Sequence, residues 1–228
     1  TVERLSDIFL ELQDKCANNI NLVTATHFVP QVAEALVKAK NKGLVIPVVY
    51  NSSAYENVST LNMLDGLVDV YLPDMKYIDS RLSAEYSKAP DYADVAKAAI
   101  QEMVRQTGKP EFFTDDDELV KSGSVEAGIM KKGVIVRHLV LPGTTKDSKA
   151  VIKYLLDTYA DEIYISIMSQ YTPFERLKKH PLLSRKVTRK EYNSVVDYAI
   201  DCGINNGFIQ EGDVAEESFI PEFDYEGI

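Results

Sequence analysis

An acid and a base stand directly after one strand-like run of this sequence, and a second base stands inside another. Asp74 and Lys76 follow the apolar run 68–72, and Arg137 lies within the apolar run 133–141. An acid and an amine held together in a sheltered site can bind polar ligands or exchange protons, and a lysine can also form a Schiff base. Because an arginine is costly to bury alone, we expect Arg137 to have a carboxylate partner.

Polar residues also follow two earlier strand-like segments of the chain. The residues at these two places are Thr24, Thr26, His27, Asn51 and Ser52. Buried parallel strands with polar groups at their carboxyl ends are how α/β barrels and open α/β sheets build active sites. We therefore expect all of these side chains to gather at one edge of a sheet, as in an enzyme.

Helical and strand-like segments alternate along the chain. The predicted strands are 19–24, 45–50, 68–72, 133–141 and 163–168. Periodicity and capping signals predict helices over 2–15, 29–41, 58–64, 81–88, 92–107, 147–159 and 188–201. This order predicts an α/β fold, a partial parallel (β/α) barrel that is TIM-like but incomplete. We expect one domain over 1–228, with an acidic insertion at about 111–131 that forms a hairpin or a loop, and a C-terminal tail at about 204–228.

The first predicted element is a helix, where α/β alternation would place a strand. The chain also begins at Thr1 without an initiator methionine, so we expect a first strand and its loop upstream. Strand 19–24 would then have an unpaired edge, which is open to pairing with another chain. We expect this edge to be covered in a dimer, by a neighbouring molecule, or by the tail, whose apolar residues include Phe219, Ile220 and Phe223.

Composition and charge narrow the class of protein. The formal net charge is −10, but the acidic residues concentrate in 111–118 and 211–228, so the rest of the chain is close to neutral. No basic stripe favours nucleic-acid binding. No apolar run reaches the length of a membrane span, and no signal peptide is visible. The two cysteines, Cys16 and Cys202, have no metal-ligand spacing and are expected to be free thiols, which is typical of a cytoplasmic protein.

Several runs together resemble the radical S-adenosylmethionine proteins, in particular the group related to pyruvate formate-lyase activating enzyme. The runs that carry the resemblance are Ala-Asn-Asn-Ile-Asn-Leu-Val-Thr-Ala-Thr-His at 17–27, Val-Val-Tyr-Asn-Ser-Ser-Ala-Tyr at 48–55, Tyr-Leu-Pro-Asp-Met-Lys at 71–76, Arg-His-Leu-Val-Leu-Pro-Gly at 137–143, Ile-Ser-Ile-Met-Ser-Gln-Tyr at 165–171 and Asn-Gly-Phe-Ile-Gln-Glu-Gly at 206–212. The resemblance covers nearly all of the chain except the acidic insertion.

The resemblance implies S-adenosylmethionine and a [4Fe–4S] cluster as cofactors of the intact protein. The family holds its cluster on a Cys-x-x-x-Cys-x-x-Cys loop after the first strand, and this sequence contains no such triplet. Without three thiolates the radical chemistry has no electron source. We therefore expect this chain to be an inactive core fragment without a metal site of its own; a natural pseudoenzyme is the alternative.

The resemblance also implies which residues lie around the cofactor. These are Thr24, Thr26, His27, Asn51, Ser52, Asp74, Lys76, Arg137 and Leu139. The segment 24–27 replaces the Gly-Gly-Glu with which the family contacts the methionine amino group, so hydroxyls and an imidazole would make that contact here. Leu139 matches the apolar residue that lies beside the adenine.

Some of these residues have purely structural interpretations. Asp74 and Lys76 could form an exposed ion pair of under about 1 kcal/mol. His27 could simply begin a helix. Strand alternation turns His138 away from Arg137, and we expect it under a helix. His180, in a Lys-Lys-His-Pro stretch, is expected to be solvated.

Three functions remain open from the sequence. The intact protein is expected to cleave S-adenosylmethionine reductively and to abstract hydrogen from a substrate, in this branch a glycine of a protein. A second hypothesis is a lyase or aldolase barrel in which Lys76 forms a Schiff base, activated by burial and by Asp74. A third is a non-catalytic binding barrel that docks a partner through its acidic tail.

Overall fold

A computed structural model describes residues 1–209, apart from the side chain of Arg176; residues 210–228 lie outside the described part. The helices are α1 (Val2–Asp14), α2 (Val29–Asn41), α3 (Val58–Leu61), α4 (Ser80–Ser87), α5 (Tyr92–Thr107), α6 (Glu118–Lys121), α7 (Thr145–Tyr159) and α8 (Arg189–Asp201). The strands are β1 (Ile20–Val23), β2 (Val48–Ser52), β3 (Val70–Pro73), β4 (Glu111–Phe112), β5 (Met130–Leu139), β6 (Tyr164–Met168) and β7 (Gly207–Ile209).

Six of the strands form one parallel sheet in the order β1-β2-β3-β5-β6-β7. The short β4 pairs antiparallel with the beginning of β5. Because these strands are all parallel, their carboxyl ends lie at the same edge of the sheet. Over the described residues the sheet is open, with β1 at one end and β7 at the other.

The two faces of the sheet are packed very differently. On the outer face, side chains such as Leu22, Tyr50, Tyr71 and Val136 join residues of the helices in one continuous apolar core. The alternate residues of the same strands form the inner face, where a small apolar cluster is built from Val49, Val70 and Met130, with Leu72, Phe112, Ile135 and Tyr164 packed against it. This division follows from strand alternation, and it leaves the inner face free of helices among the described elements.

The α/β alternation and the parallel sheet predicted from the sequence are confirmed, with shifted bounds. The strand predicted at 45–50 is wrong at its start, because Val45 is exposed and the strand runs Val48–Ser52. The insertion forms an antiparallel strand pair, the hairpin alternative, with α6 in its connection. Strand β7 was not predicted; it lies in the segment expected to be tail.

Helix α8 shows how capping residues in the sequence predict where a helix begins. Thr188 accepts a hydrogen bond from the backbone N–H of Glu191, whose carboxylate accepts from the backbone N–H of Thr188, so the predicted capping box is present. Thr1 caps α1 with a single hydrogen bond, in which its hydroxyl accepts the N–H of Arg4. Across the described residues, none of the helices combines the length and the apolar character that a membrane crossing requires.

Strand β1 has one paired side and one unpaired side. The N–H groups of Ile20 and Thr24 donate to the carbonyls of Pro47 and Asn51 on the β2 side. Because alternate residues of a parallel strand bond to opposite neighbours, the N–H groups of Asn21 and Val23 point away from β2. Val23 is also 64% exposed. No other described strand pairs with this side.

We expect this edge of β1 to be covered in solution, as the sequence indicates, and amide hydrogen exchange can test it at single residues. The informative amides are those of Asn21 and Val23, with the β2-bonded amides of Ile20 and Thr24 as internal controls. A covered edge predicts protection of all four. Protection of the two controls alone, in a monomeric sample, would show the edge open. Coverage by Phe219, Ile220 or Phe223 concerns residues outside the described part.

Candidate functional site

Four of the predicted residues meet in one hydrogen-bonded cluster at the carboxyl edge of the sheet. Arg137 Nη2 lies 2.7 Å from Asp74 Oδ1 and donates to Asn51 Oδ1, also at 2.7 Å. Lys76 Nζ donates to the other carboxylate oxygen of Asp74, Oδ2, at 2.8 Å. The predicted carboxylate partner of Arg137 is therefore Asp74. One carboxylate serves two cations, which leaves the cluster with an excess positive charge.

The cluster lies on the inner face, directly above the small apolar cluster. Asp74 is two residues beyond Leu72 and pairs with Arg137 across an isolated parallel bridge, and Arg137 is two residues beyond Ile135. Leu139 follows two residues later on the same face, opposite Met168 of β6. The Asp74–Lys76 ion pair that the sequence left open does form, with the side chain of Lys76 39% exposed, but its carboxylate is only 18% exposed and also pairs with Arg137.

Strand β5 holds the segment that carries Asp74 and Lys76. The backbone N–H of Met75 donates to the carbonyl of Arg137 at 2.9 Å. The carbonyl of Met75 accepts a hydrogen bond from Nδ1 of His138 at 2.7 Å, which assigns the proton of the neutral ring to Nδ1. His138 is buried on the outer face, as predicted, and burial lowers its pKa to about 4. A neutral histidine thus holds the backbone of Met75, the residue between Asp74 and Lys76, in place.

Tyr92, at the start of α5, fixes the same segment from the other side. Its hydroxyl oxygen accepts the N–H of Lys76 at 3.0 Å and lies 2.7 Å from the carbonyl oxygen of Asp74 and 2.9 Å from that of Ser53. Burial raises the pKa of Tyr92, so the phenol remains a donor. The hydroxyl therefore ties the loop after β2 to the segment after β3.

Asp147, near the start of α7, anchors the far end of this segment. Its carboxylate accepts the N–H groups of Ile78 and Asp79. Burial raises the pKa of Asp147, against the opposing effect of these two hydrogen bonds. The stretch from Asp74 to Asp79 is thus held by β5, α5 and α7.

The residues predicted after β1 lie in a tight turn and a short 3-10 helix, Ala25–Phe28, that precedes α2. Thr24 has a left-handed backbone, φ 57°, and its N–H donates to the carbonyl of Asn51. Thr26 donates its hydroxyl to Glu56 at 2.9 Å. His27 is exposed. This segment is joined to the end of β2, next to Asn51.

Glu56 is a buried carboxylate that sequence reasoning did not single out. Both of its oxygens lie within hydrogen-bonding distance of the hydroxyl of Tyr50, at 2.9 and 3.1 Å, and one accepts from Thr26. Burial raises the pKa of Tyr50. Glu56 fixes the turn after β1 against β2, and the hydroxyl oxygen of Thr26 also lies 3.5 Å from the hydroxyl of Tyr50.

Ser52 is not brought into the cluster by its side chain. It follows Asn51 and so lies on the outer face, where its hydroxyl accepts the N–H of Ala54 at 3.1 Å. Ala54 has a positive φ of 59°, and the hydroxyl supports this turn. The carbonyl of Ser52 accepts the N–H of Asp74, so this residue supports the site through its backbone.

The expectation that His180 is solvated is wrong. Its Nδ1 accepts the N–H groups of Leu182 and Leu183, and its ring packs edge-on against Tyr86 of α4 at 5.6 Å. The imidazole orders the connection between β6 and α8. The Lys-Lys-His-Pro stretch carries no signal of this, because the contacts are made by residues that follow it and by α4.

Arg137 has one polar atom that the protein does not satisfy. Its Nε is buried and, among the described residues, has no hydrogen-bond partner. Native proteins rarely leave such a donor unpaired, and a buried guanidinium N–H beside an excess positive charge suits an anionic or carbonyl oxygen of a ligand. The site can therefore bind a polar ligand with its cations while Asp74 and Asn51 accept hydrogen bonds.

The described residues do not form a metal site. Among residues 1–209, no group of three or more His, Cys, Asp or Glu side chains is arranged to hold a metal ion. The two cysteines are exposed and lie in different elements, after α1 and after α8. A [4Fe–4S] cluster requires thiolates in close reach of one another, so the residues present do not fit one.

Solved structures with the same architecture were found by comparison. A domain of pyruvate-formate lyase-activating enzyme from Bacteroides vulgatus matches with a TM-score of 0.51 at 10% identity, over 85% of this chain and 98% of that one. A radical SAM methyltransferase from Sphaerobacter thermophilus matches with a TM-score of 0.53 at 9% identity, over 92% of this chain and 56% of that one. The chain has a radical SAM-like fold. The predicted partial barrel is thereby confirmed.

A curated relative adds a sequence match. An uncharacterized protein of Methanocaldococcus jannaschii is 28% identical over 154 residues, which is 68% of this chain. The match spans 38% of that protein's length. No protein-family model matches the chain.

We expect stability to fall on acidification because of His138. In the unfolded chain a histidine takes up a proton near pH 6.5, whereas burial keeps His138 neutral down to about pH 4. Between these values the unfolded state binds the extra proton, so stability is present above pH 6.5 and is lost as the pH falls toward 4. At pH 4.5 the free energy of unfolding is lower by about 2–3 kcal/mol because of His138.

Denaturant titrations at pH 7 and pH 4.5 test this. The loss of unfolding free energy should be smaller in His138→Gln than in the parent chain by about 2–3 kcal/mol. His27→Gln, which alters an exposed histidine, is the matched control and should lose as much as the parent. Equal losses in all three proteins would contradict the assignment to His138.

Proposed function

We propose that this chain is the S-adenosylmethionine-binding part of a radical S-adenosylmethionine enzyme. The observation that carries the proposal is the buried, unpaired Nε of Arg137 beside the Asp74–Lys76–Asn51 cluster, on the inner face of a radical SAM-like fold. The cluster lies at the carboxyl edge of a parallel sheet, where enzymes of this architecture place their ligands.

The ligand matches the cluster in charge and shape. Lys76 and Arg137 supply cations for the methionine carboxylate, and Asp74 accepts hydrogen bonds from amino or hydroxyl groups. The adenine would lie against Leu139, the apolar residue that follows Arg137 on the inner face. Thr24 and Thr26, in the turn joined to Asn51, offer oxygen atoms to the methionine amino group.

The chemistry that bound S-adenosylmethionine supplies in such enzymes, when it is cleaved reductively, is a 5′-deoxyadenosyl radical that takes hydrogen from a substrate. The residues of this chain bind and orient the ligand, and the apolar cluster below them keeps water from that side of it. As substrate we propose a glycine of a protein, on the strength of the activating-enzyme resemblance. We propose a cytoplasmic location, since the chemistry and the free thiols suit a reducing compartment.

Calorimetric titration with S-adenosylmethionine tests the binding function. The chain should bind it, and Arg137→Gln should weaken binding by at least about tenfold, because a charge-assisted hydrogen bond contributes about 1.5–3 kcal/mol. Arg4→Gln, which removes an equal charge from the exposed face of α1, should bind as the parent does.

A second variant keeps this test decisive if Arg137→Gln fails to fold, since it leaves Asp74 partly buried without its arginine. Asp74→Asn combined with Arg137→Gln replaces the ion pair by two amides and should fold while binding weakly. The proposal is wrong if the folded double variant binds S-adenosylmethionine as tightly as the parent chain. It is also wrong if the parent chain shows no binding at millimolar S-adenosylmethionine.

We propose that the electron source of this reaction lies in residues outside this sequence. Two cysteines cannot supply the three thiolates, and the archaeal relative is much longer than the match. We predict that the gene encodes Cys-x-x-x-Cys-x-x-Cys ahead of Thr1. Protein that includes it, purified without oxygen, should contain iron and sulfide and cleave S-adenosylmethionine, whereas the 228-residue chain should bind without cleaving. Three cysteines that never take up iron would contradict this prediction.

The Schiff-base alternative is less favoured by the geometry. Lys76 is 39% exposed and forms an ion pair with Asp74. A Schiff-base lysine must react as the neutral amine, and burial usually provides that state. Here the amine would have to give up an ion pair and has little burial to help it. The third alternative, a binding barrel that docks a partner through its acidic tail, depends on residues 210–228, which lie outside the described part.

A further inference from the structure

A second cleft opens beside the Asp74–Lys76–Arg137 cluster, between the loop after β2 and the junction of α4 and α5. It encloses about 260 Å³, and its walls include Ser53, Tyr55, Lys76, Lys88 and Tyr92. Lys76 lines this cleft and also contacts Asp74. A ligand in the cleft would therefore lie next to the proposed S-adenosylmethionine site without occupying it.

The charge around the cleft is positive, although the chain carries a net −10. Lys88 donates its ammonium to a neutral oxygen, the carbonyl of Glu85, at 3.3 Å. Lys76 shares Asp74 with Arg137. The nearby Asp91 accepts the hydroxyl of Tyr55 at 2.8 Å. The described residues that line the cleft include two lysines and no carboxylate, which favours an anionic ligand.

The backbone of Lys88 is unusual for a lysine. It ends α4 in the left-handed conformation, φ 57° and ψ 28°, which glycine adopts without strain and is the common choice at this position. A lysine there accepts that strain; it lines the cleft, and its ammonium donates to the carbonyl of Glu85. The carboxyl end of a helix also attracts a cation through its dipole, so a structural role of Lys88 has to be separated from binding by experiment.

An aromatic surface completes the cleft. Tyr55 stacks on the buried ring of Tyr92, with centroids 6.1 Å apart and planes 17° apart, and Tyr55 remains 42% exposed. The ring of Tyr92 is held in place because its hydroxyl forms hydrogen bonds with the segment after β3. An exposed, supported ring offers its face to a planar or apolar group.

We propose that this cleft binds an oxyanion group, a carboxylate or a phosphate, of the substrate, with the planar body of that molecule against Tyr55. The ammonium of Lys88 donates a hydrogen bond to the oxyanion, and Lys76, which lies between the two sites, adds positive charge. Calling the ligand the substrate rests on the proposed function, because the cleft then lies beside the place where the radical would form. The volume suits one small group rather than a drug-sized ligand.

Nuclear magnetic resonance titration of the isotope-labelled chain tests the proposal with inorganic phosphate, acetate and benzoate at constant ionic strength. Phosphate and benzoate should give saturable shifts at the amides of Tyr55, Lys88 and Ala89, and benzoate should bind more tightly than acetate. Whichever of phosphate and benzoate binds more tightly identifies the oxyanion. Lys88→Gln should weaken binding by about tenfold, the effect of one charge-assisted hydrogen bond.

Two further variants separate binding from stability. Lys88→Gly relieves the left-handed backbone, so it should melt no lower than the parent and still bind weakly. Lys15→Gln removes an equal charge from the exposed end of α1 and should bind as the parent does. The absence of localised, saturable shifts, equal affinity in Lys88→Gln and the parent, or acetate binding as well as benzoate would overturn the proposal.

Titration of Lys88→Gln with S-adenosylmethionine distinguishes this proposal from the proposed function. The variant should bind S-adenosylmethionine as the parent does, since Lys88 lies outside that site. A chain that binds oxyanions through Lys88 but not S-adenosylmethionine would refute the proposed function and leave the cleft assigned. The opposite result would refute the cleft alone.

Discussion

The site depends on a single partly buried carboxylate, that of Asp74. Arg137 stands in an otherwise apolar strand, where an unpaired guanidinium would be costly, and Asp74 meets this cost through a 2.7 Å contact. The contact can form only where β3 and β5 are in one register, which the bridge between Asp74 and Arg137 records. Electrostatics and strand pairing therefore specify the same alignment, and a slip of one residue would separate Arg137 from its carboxylate.

The surrounding contacts convert this alignment into a rigid platform. His138, Tyr92 and Asp147 come from three different elements and hold three successive parts of one short segment through its backbone. Each uses a side chain that burial keeps in one protonation state or in fixed hydrogen bonds. Pre-organised groups bind a ligand without a further ordering cost, so the same contacts that stabilise the fold also favour binding.

The sequence predicted those features that local patterns encode. Alternating apolar runs located the five longest strands, and capping residues such as Thr188 located the helices. Asp74, Arg137 and Asn51 could be grouped because parallel strands bring their carboxyl ends together. Tyr92, Glu56 and Lys88 could not be found in this way, because a residue in a helix or a loop gives no local sign of what it touches across the fold. Strand β7 was missed because its three residues are too few to show alternation.

The short strand β4 has a consequence for access to the inner face. It pairs with the beginning of β5, at the end remote from Arg137, and Phe112 packs there with Met130, Val49 and Val70. These side chains cover the amino-terminal end of the inner face with apolar surface, so a polar ligand is favoured only at the carboxyl end, beside Arg137. The acidic insertion thereby confines polar ligands to one end of the inner face, although it pairs with the opposite end of β5.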